Sequence, residues 1–244
     1  MTKRYLFNIQ AAHPSWHTCL AQALQTMDSE YLEMLYTDTQ WLPGPEKIFN
    51  AFSLSLQSTR YVLFGESPYP RATSANGYAF WDAAVGSLWS ETGLSKPVNR
   101  ATSLRNIIKM LLIAEGALPA HEISQPAIAK LSKDKFIQTN HDLFHNFLTH
   151  GFLLLNATPI LRPNLVQKDA RAWHPFIRYV LNFILQHRPE IKLILLGNIA
   201  NSIEKLINTA PVEKLYAEHP YNLSFIHNPQ VIQFFRPLHL LVPG

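Results

Sequence analysis

Four short apolar runs, Tyr61 to Phe64, Phe152 to Leu155, Lys192 to Leu196 and Lys214 to Ala217, are spread widely along the chain. Each is rich in aliphatic side chains and lacks the alternation of a strand with one wet face, so each reads as a strand buried on both sides. Apolar residues recur at helical spacing between them, at Ser103 to Ala114, His141 to Thr149, Pro175 to His187 and Ile199 to Asn208. Strands alternating with helices must lie parallel, with the helices covering both faces of the sheet. The fold class is therefore α/β. An opening amphipathic helix is expected from Trp16 to Tyr36 and a second from Glu46 to Leu56, whereas Trp81 to Thr102 and Gly116 to Asn140 fit no regular pattern. Long connections of that kind in a compact domain are usually functional or mobile.

With 244 residues, 47% of them hydrophobic, the chain has enough for one full α/β core. No internal repeat, low-complexity tract or linker divides it, so a single domain spanning 1–244 is expected, with an N-terminal helical extension over about 1–42. Lys and Arg outnumber Asp and Glu by 21 to 17, a mild basic excess compatible with nucleic acid but not diagnostic of it. Cys19 is the sole cysteine, which excludes an internal disulfide, and the N-terminus has no secretory pattern. No aliphatic stretch approaches the length of a membrane span. A cytoplasmic protein, or a nuclear one in a eukaryote, is expected, without a membrane partner and as a monomer.

The segment Gly65-Glu66-Ser67-Pro68-Tyr69-Pro70 follows the first strand. A strand that stops at glycine and turns through two prolines places backbone N–H groups and short side chains at the carboxyl edge of the sheet, where α/β proteins bind ligands. The same residues also make an ordinary exit turn. Six further pieces follow the same logic: Phe49-Asn50-Ala51-Phe52, Asn76-Gly77-Tyr78-Ala79-Phe80, Ser103-Leu104-Arg105-Asn106, Gly151 to Asn156, Leu195-Leu196-Gly197 and His219-Pro220-Tyr221-Asn222-Leu223-Ser224. In this order they resemble the uracil-DNA glycosylases, over roughly Pro43 to Leu240. The resemblance implies a single-domain αβα sandwich with a central four-stranded parallel sheet, a DNA groove across the carboxyl ends of its strands, DNA as partner and no cofactor.

The resemblance also implies roles. An enzyme acting on a base in DNA extrudes the nucleotide, at a cost of a few kcal/mol in stacking and pairing. Leu223 would be the wedge that fills the gap, Phe80 the ring on which the base lies, and Asn156 the amide that reads its hydrogen-bonding edge. His219 would hydrogen-bond the base oxygen as charge develops on the departing ring. Tyr69 would crowd the five position of the pyrimidine and exclude thymine. Ser103 and Ser224 would grip phosphates, with Tyr221 and Asn222 beside them at the DNA; Lys109, Arg162, Lys168, Arg171 and Arg236 are further candidate phosphate partners. Each residue also has a structural alternative: Asn156 can cap a strand end, Tyr69 can be a core aromatic, and a histidine before proline is commonly structural.

Several positions depart from the family pattern. Ser67 stands where uracil-removing members carry the aspartate that positions water and faces the cationic sugar. Losing a positioned base of that kind typically costs about 100-fold to 10,000-fold. Glu66 stands where the family commonly has glutamine. It can replace the missing charge, accept a hydrogen bond from an exocyclic amine such as that of cytosine, or simply pair with Arg71. Pro70 replaces a histidine, Tyr221-Asn222 replace a small residue and proline, and Trp81 to Thr102 is longer than the proline-rich loop it replaces. The expected function is a DNA glycosylase that flips a modified or damaged pyrimidine and hydrolyses its N-glycosidic bond, leaving an abasic site. A modified cytosine of viral DNA, and hence a defence role, is the expected substrate. The alternatives are ordinary uracil repair at reduced speed and a catalytically inactive DNA-binding module.

Other chemistry has little support. His141 and His145 have the spacing of a metal pair but no third ligand in sequence, so no metal is expected. No glycine-rich phosphate loop or nucleophile elbow is present.

Overall fold

A computed structural model of the protein describes residues 7–38, 40–207 and 211–243. The strands in chain order are β1 (Tyr61–Gly65), β2 (Trp89–Ser90), β3 (Gly93–Leu94), β4 (Phe152–Asn156), β5 (Lys192–Leu196) and β6 (Glu213–Ala217). The helices are α1 (His17–Gln25), α2 (Ser29–Thr37), α3 (Lys96–Arg100), α4 (Thr102–Ala114), α5 (Gln125–Ala129), α6 (Asn140–Thr149), α7 (Val166–His187), α8 (Ile199–Glu204) and α9 (Pro229–Phe235). The four apolar runs form one parallel sheet in the order β4-β1-β5-β6.

Because side chains alternate along a strand, the runs feed two separate cores. Val62, Phe64, Leu153, Leu155, Leu193 and Leu195 face a layer that contains α1 and α7. Leu63, Leu154, Ile194 and Leu196 face the other, where α4, α6 and α9 pack. Burial on both faces is why the runs of β1, β4 and β5 are continuously apolar; β6, expected to be buried likewise, is instead a half-exposed edge strand with Tyr216 48% exposed. The chain leaves β1 for β4 on one side and then crosses to β5 and β6 on the other. The order thus reverses at β1, and a crevice opens at the carboxyl end of its strand, at Gly65.

The expected opening helix is two. Asp28 accepts a hydrogen bond from the Tyr31 amide at 2.7 Å and starts α2 afresh, as an acidic N-cap does. Residues 46–56 form no α-helix, only turns and a short 3₁₀ segment, Asn50–Ser53. Ile48, Phe49, Ala51, Phe52 and Leu56 are all buried there, with Phe49 and Phe52 packed against Phe7, Trp16 and Phe176. That burial overrides the local helical spacing. α7 begins well before Pro175, which lies inside it. α8 ends at Glu204; Asn208, the expected end, lies outside the described residues. The two irregular stretches hold the β2–β3 ladder, α3 and α5.

The N-terminal helices share the first core. Tyr31 donates to Asp169 at 2.8 Å, and Asp169 also takes both a 3.1 Å hydrogen bond from the Arg162 Nε and a close ion pair from the same guanidinium. Burial pushes the Cys19 thiol up to about 12, which leaves it a small inert core side chain.

Candidate active site

The register places Gly65, last in β1, beside Asn156, last in β4. A β-carbon on Gly65 would lie 2.8 Å from the Ala79 Cβ and 2.8 Å from the Asn156 Oδ1. Only glycine lets the strand ends and the 77–80 loop meet. Gly77, at φ +92, turns that loop, and the Ala79 amide donates to the Leu154 carbonyl at 3.0 Å, docking it on β4. Phe80 follows at a positive φ of 63, a strained setting for a bulky side chain. The strain fixes the direction of the ring.

Asn156 is 3% exposed, and its Nδ2 is buried without a hydrogen-bond partner among the described residues. An orphan buried donor costs about 1–3 kcal/mol. A ligand carbonyl would remove that cost. Tyr69 donates its hydroxyl to the Phe80 carbonyl at 3.0 Å, which holds its side chain across the loop. Burial pushes the phenol well above its ordinary range, so it remains a donor.

The loop after β1 is also paired with the loop after β4, through Ala157 N to Gly65 O and Thr158 N to Glu66 O, both 2.9 Å. Glu66 is exposed and Ser67 half-buried. Arg71 pairs with Asp82 at 3.1 Å, not with Glu66, which removes one expected partner for that carboxylate. Glu66, His219, Asn198, Ile199 and Tyr221 instead line a cavity of about 350 Å³.

His219 follows β6 and packs on Gly197, where a β-carbon would lie 2.7 Å from its own Cβ. The rings of Phe80 and His219 are 5.9 Å apart between centroids, in the same crevice. The Tyr221 amide donates to the His219 Nδ1 at 3.1 Å. In the neutral imidazole the proton therefore sits on Nε2, which makes that nitrogen a donor. Burial lowers the His219 pKa below its ordinary 6.5 and outweighs the opposing pull of Glu66, so the neutral donor form prevails at pH 7.

Of the residues expected at DNA, Tyr221 and Leu223 are each 67% exposed. Ser103 stands half-buried in the first turn of α4, and Ser224 is exposed. Arg162 is committed to Asp169 in the interior and is not a phosphate ligand. Asn106, which the local sequence does not mark as functional, is fully buried and donates to the Pro220 carbonyl at 2.7 Å, pinning the 219–224 loop to α4. His141 and His145 stack ring on ring, and no cluster of three or more His, Cys, Asp or Glu that could hold a metal exists among the described residues. Nor is any helix among them long and apolar enough to cross a membrane.

No family model matches the chain. The structure is similar to the wild-type UNG crystal structure from Nitratifractor salsuginis, with a TM-score of 0.92 and 38% identity over 98% of this chain and 96% of that one. The chain belongs to the uracil-DNA glycosylase superfamily. Its class of activity is that of a hydrolase, a DNA N-glycosylase. Among curated relatives, the uracil-DNA glycosylase of Amoebophilus asiaticus (strain 5a2) is 29% identical over 216 residues, 85% of this chain and 83% of that protein. The uracil-DNA glycosylase of Escherichia coli O6:H1 is 27% identical over 86% of this chain and 82% of its own length. The mimivirus uracil-DNA glycosylase shares the fold, with a TM-score of 0.60 at 16% identity over 90% of this chain and 73% of that one.

Proposed function

We propose that this glycosylase hydrolyses the N-glycosidic bond of a flipped pyrimidine in DNA and leaves an abasic site, and that the base is uracil. The observation that carries the reading is the buried, unpartnered Nδ2 of Asn156, the residue paired with Gly65 at the carboxyl edge of the sheet, together with the rings of Phe80 and His219 lying 5.9 Å apart. A buried amide donor matches the O4 of uracil; the exocyclic amine of cytosine would set donor against donor. The base lies on Phe80, a stack worth about 1–3 kcal/mol. The His219 Nε2–H donates to the base oxygen that gains charge as the bond breaks, the kind of donor that stabilises a departing anion.

Glu66 supplies the negative charge that Ser67 cannot. Its carboxylate lines the same cavity as His219 and is not held by Arg71, which supports a role facing the sugar cation, with the Ser67 hydroxyl holding the attacking water. A modified cytosine, with a role in defence, draws support from Glu66 as an amine acceptor and from the long 81–102 connection. The Tyr69 tether to Phe80 weighs against a bulky group at the five position. The reading takes 1–244 as one domain in which the N-terminal helices and sheet share a core.

The test is base release from duplexes and single strands carrying uracil, cytosine, hydroxymethylcytosine or glucosylated hydroxymethylcytosine. Free uracil alone is expected. Release of a cytosine derivative with uracil untouched would overturn the substrate assignment, and no release with DNA still bound would favour the inactive module.

A further inference from the structure

We propose that the Tyr221 ring is a stacking platform for the nucleobase next to the flipped nucleotide in the same strand, a contact that a single strand makes more readily than a duplex. The inference rests on the DNA-glycosylase reading and adds a second base-binding surface to it.

Tyr221 and Leu223 lie two residues apart and are both 67% exposed, on a loop that otherwise feeds the buried Phe225 and Ile226. Leu223 is placed to wedge a duplex; Tyr221 has no core to fill. Its backbone is nevertheless immobilised, by the amide bond to the His219 Nδ1 at 3.1 Å, by the Asn222 amide to the His219 carbonyl at 2.9 Å, and by Asn106 on the neighbouring Pro220 carbonyl. A rigid, exposed aromatic side chain can bind a flat partner at little cost in ordering.

The surroundings indicate which partner. Tyr221 borders both the cavity of about 350 Å³ at His219 and a larger one of about 590 Å³ that also includes Tyr69, Arg71, Arg100, Thr102 and Ser103. Asp82 offsets Arg71, which leaves Arg100 and the two hydroxyls as groups suited to a phosphodiester. An aromatic face beside cationic and hydroxyl groups is the arrangement that binds unpaired nucleotides without reading sequence. A base that stacks on Tyr221 must leave its helical neighbours, which is easy in a single strand and costly in a duplex.

The test is fluorescence-anisotropy binding of a labelled thymine strand with a central tetrahydrofuran abasic analogue, single-stranded or annealed, and of the same strand with base-less neighbours. Tyr221→Ala is expected to weaken single-strand binding about 5-fold to about 150-fold and duplex binding far less. Tyr221→Phe should bind like the parent, and base-less neighbours should erase the difference between parent and Tyr221→Ala. Parental binding by Tyr221→Ala, or a loss that persists with base-less neighbours, overturns the proposal. Uracil release is measured alongside: excision without any Tyr221 effect contradicts the platform alone, whereas Tyr221-dependent binding without excision contradicts only the catalytic reading.

Discussion

The two sides of the crevice are built differently. On the β1–β4 side, Gly65 and Ala79 touch, Asn156 is 3% exposed and Phe80 9%, and backbone hydrogen bonds lock the 77–80 loop to β4. On the opposite rim, Tyr221, Asn222, Leu223 and Ser224 are exposed on a loop anchored through Asn106 and His219, and Glu66 is exposed at the lip of the first side, its carbonyl bonded to the Thr158 amide. The first side is a rigid wall whose residues depend on one another for packing, so a change there breaks the pocket. The second is a set of side chains on a pinned backbone, where Tyr221 and Asn222 can differ from the family pattern at little cost to the fold, as can the exposed Glu66 and half-buried Ser67 just past β1. Under the proposed function, base recognition belongs to the wall, and chemistry and strand handling to the exposed side chains.

Substitutions divide along the same line. His219→Ala removes the donor to the leaving base and should lower single-turnover excision by about 100-fold to 1,000-fold with DNA binding retained. Because burial holds the His219 pKa below 6.5, its neutral form survives as pH falls to that value; parental excision should be flat above 6.5 and decline below it, where protonated Nδ1 opposes the Tyr221 amide. His219→Ala should lose that acidic limb. Next in size, Glu66→Gln should slow excision by about 100-fold, the scale of losing one group that stabilises developing charge, while Ser67→Ala costs less; the reverse ranking would make the water held by Ser67 matter more than the Glu66 charge. Phe80→Ala, on the wall, should weaken binding of uracil-containing strands by about 1–3 kcal/mol, read as a change in KM or Kd. The smallest effect on chemistry is expected for Asn106→Ala, which leaves the Pro220 carbonyl unpaired and costs about 1–3 kcal/mol of stability in denaturant unfolding. Were it instead to abolish excision with stability intact, the rim would be less independent of its anchor than described.

β1, β4 and β5 were legible because burial on both faces leaves an uninterrupted apolar run, and β6, though half exposed, from its place in the alternation; that Asn156 ends β4 and His219 follows β6 could be read from where those runs stop. Asn106 was not. Its role is a hydrogen bond to a residue 114 positions away, and nothing in the local sequence distinguishes that buried amide from a solvent-facing one on a helix. The break at Asp28 could have been read from an acidic residue ahead of a new apolar repeat. Residues 46–56 carry helical spacing, but aromatic burial from every side decides their backbone. The unassigned connections gave no periodic signal, since β2, β3, α3 and α5 are too short to show one.

Everything turns on whether this crevice severs the bond between base and sugar without an aspartate at position 67. Mass analysis of products from a uracil-containing single strand, comparing parent and His219→Ala, tests it most directly. Free uracil and an abasic strand from the parent, with release lost in the variant, is the predicted result. Intact DNA from a parent that still binds the strand, or equal release by both proteins, would contradict it.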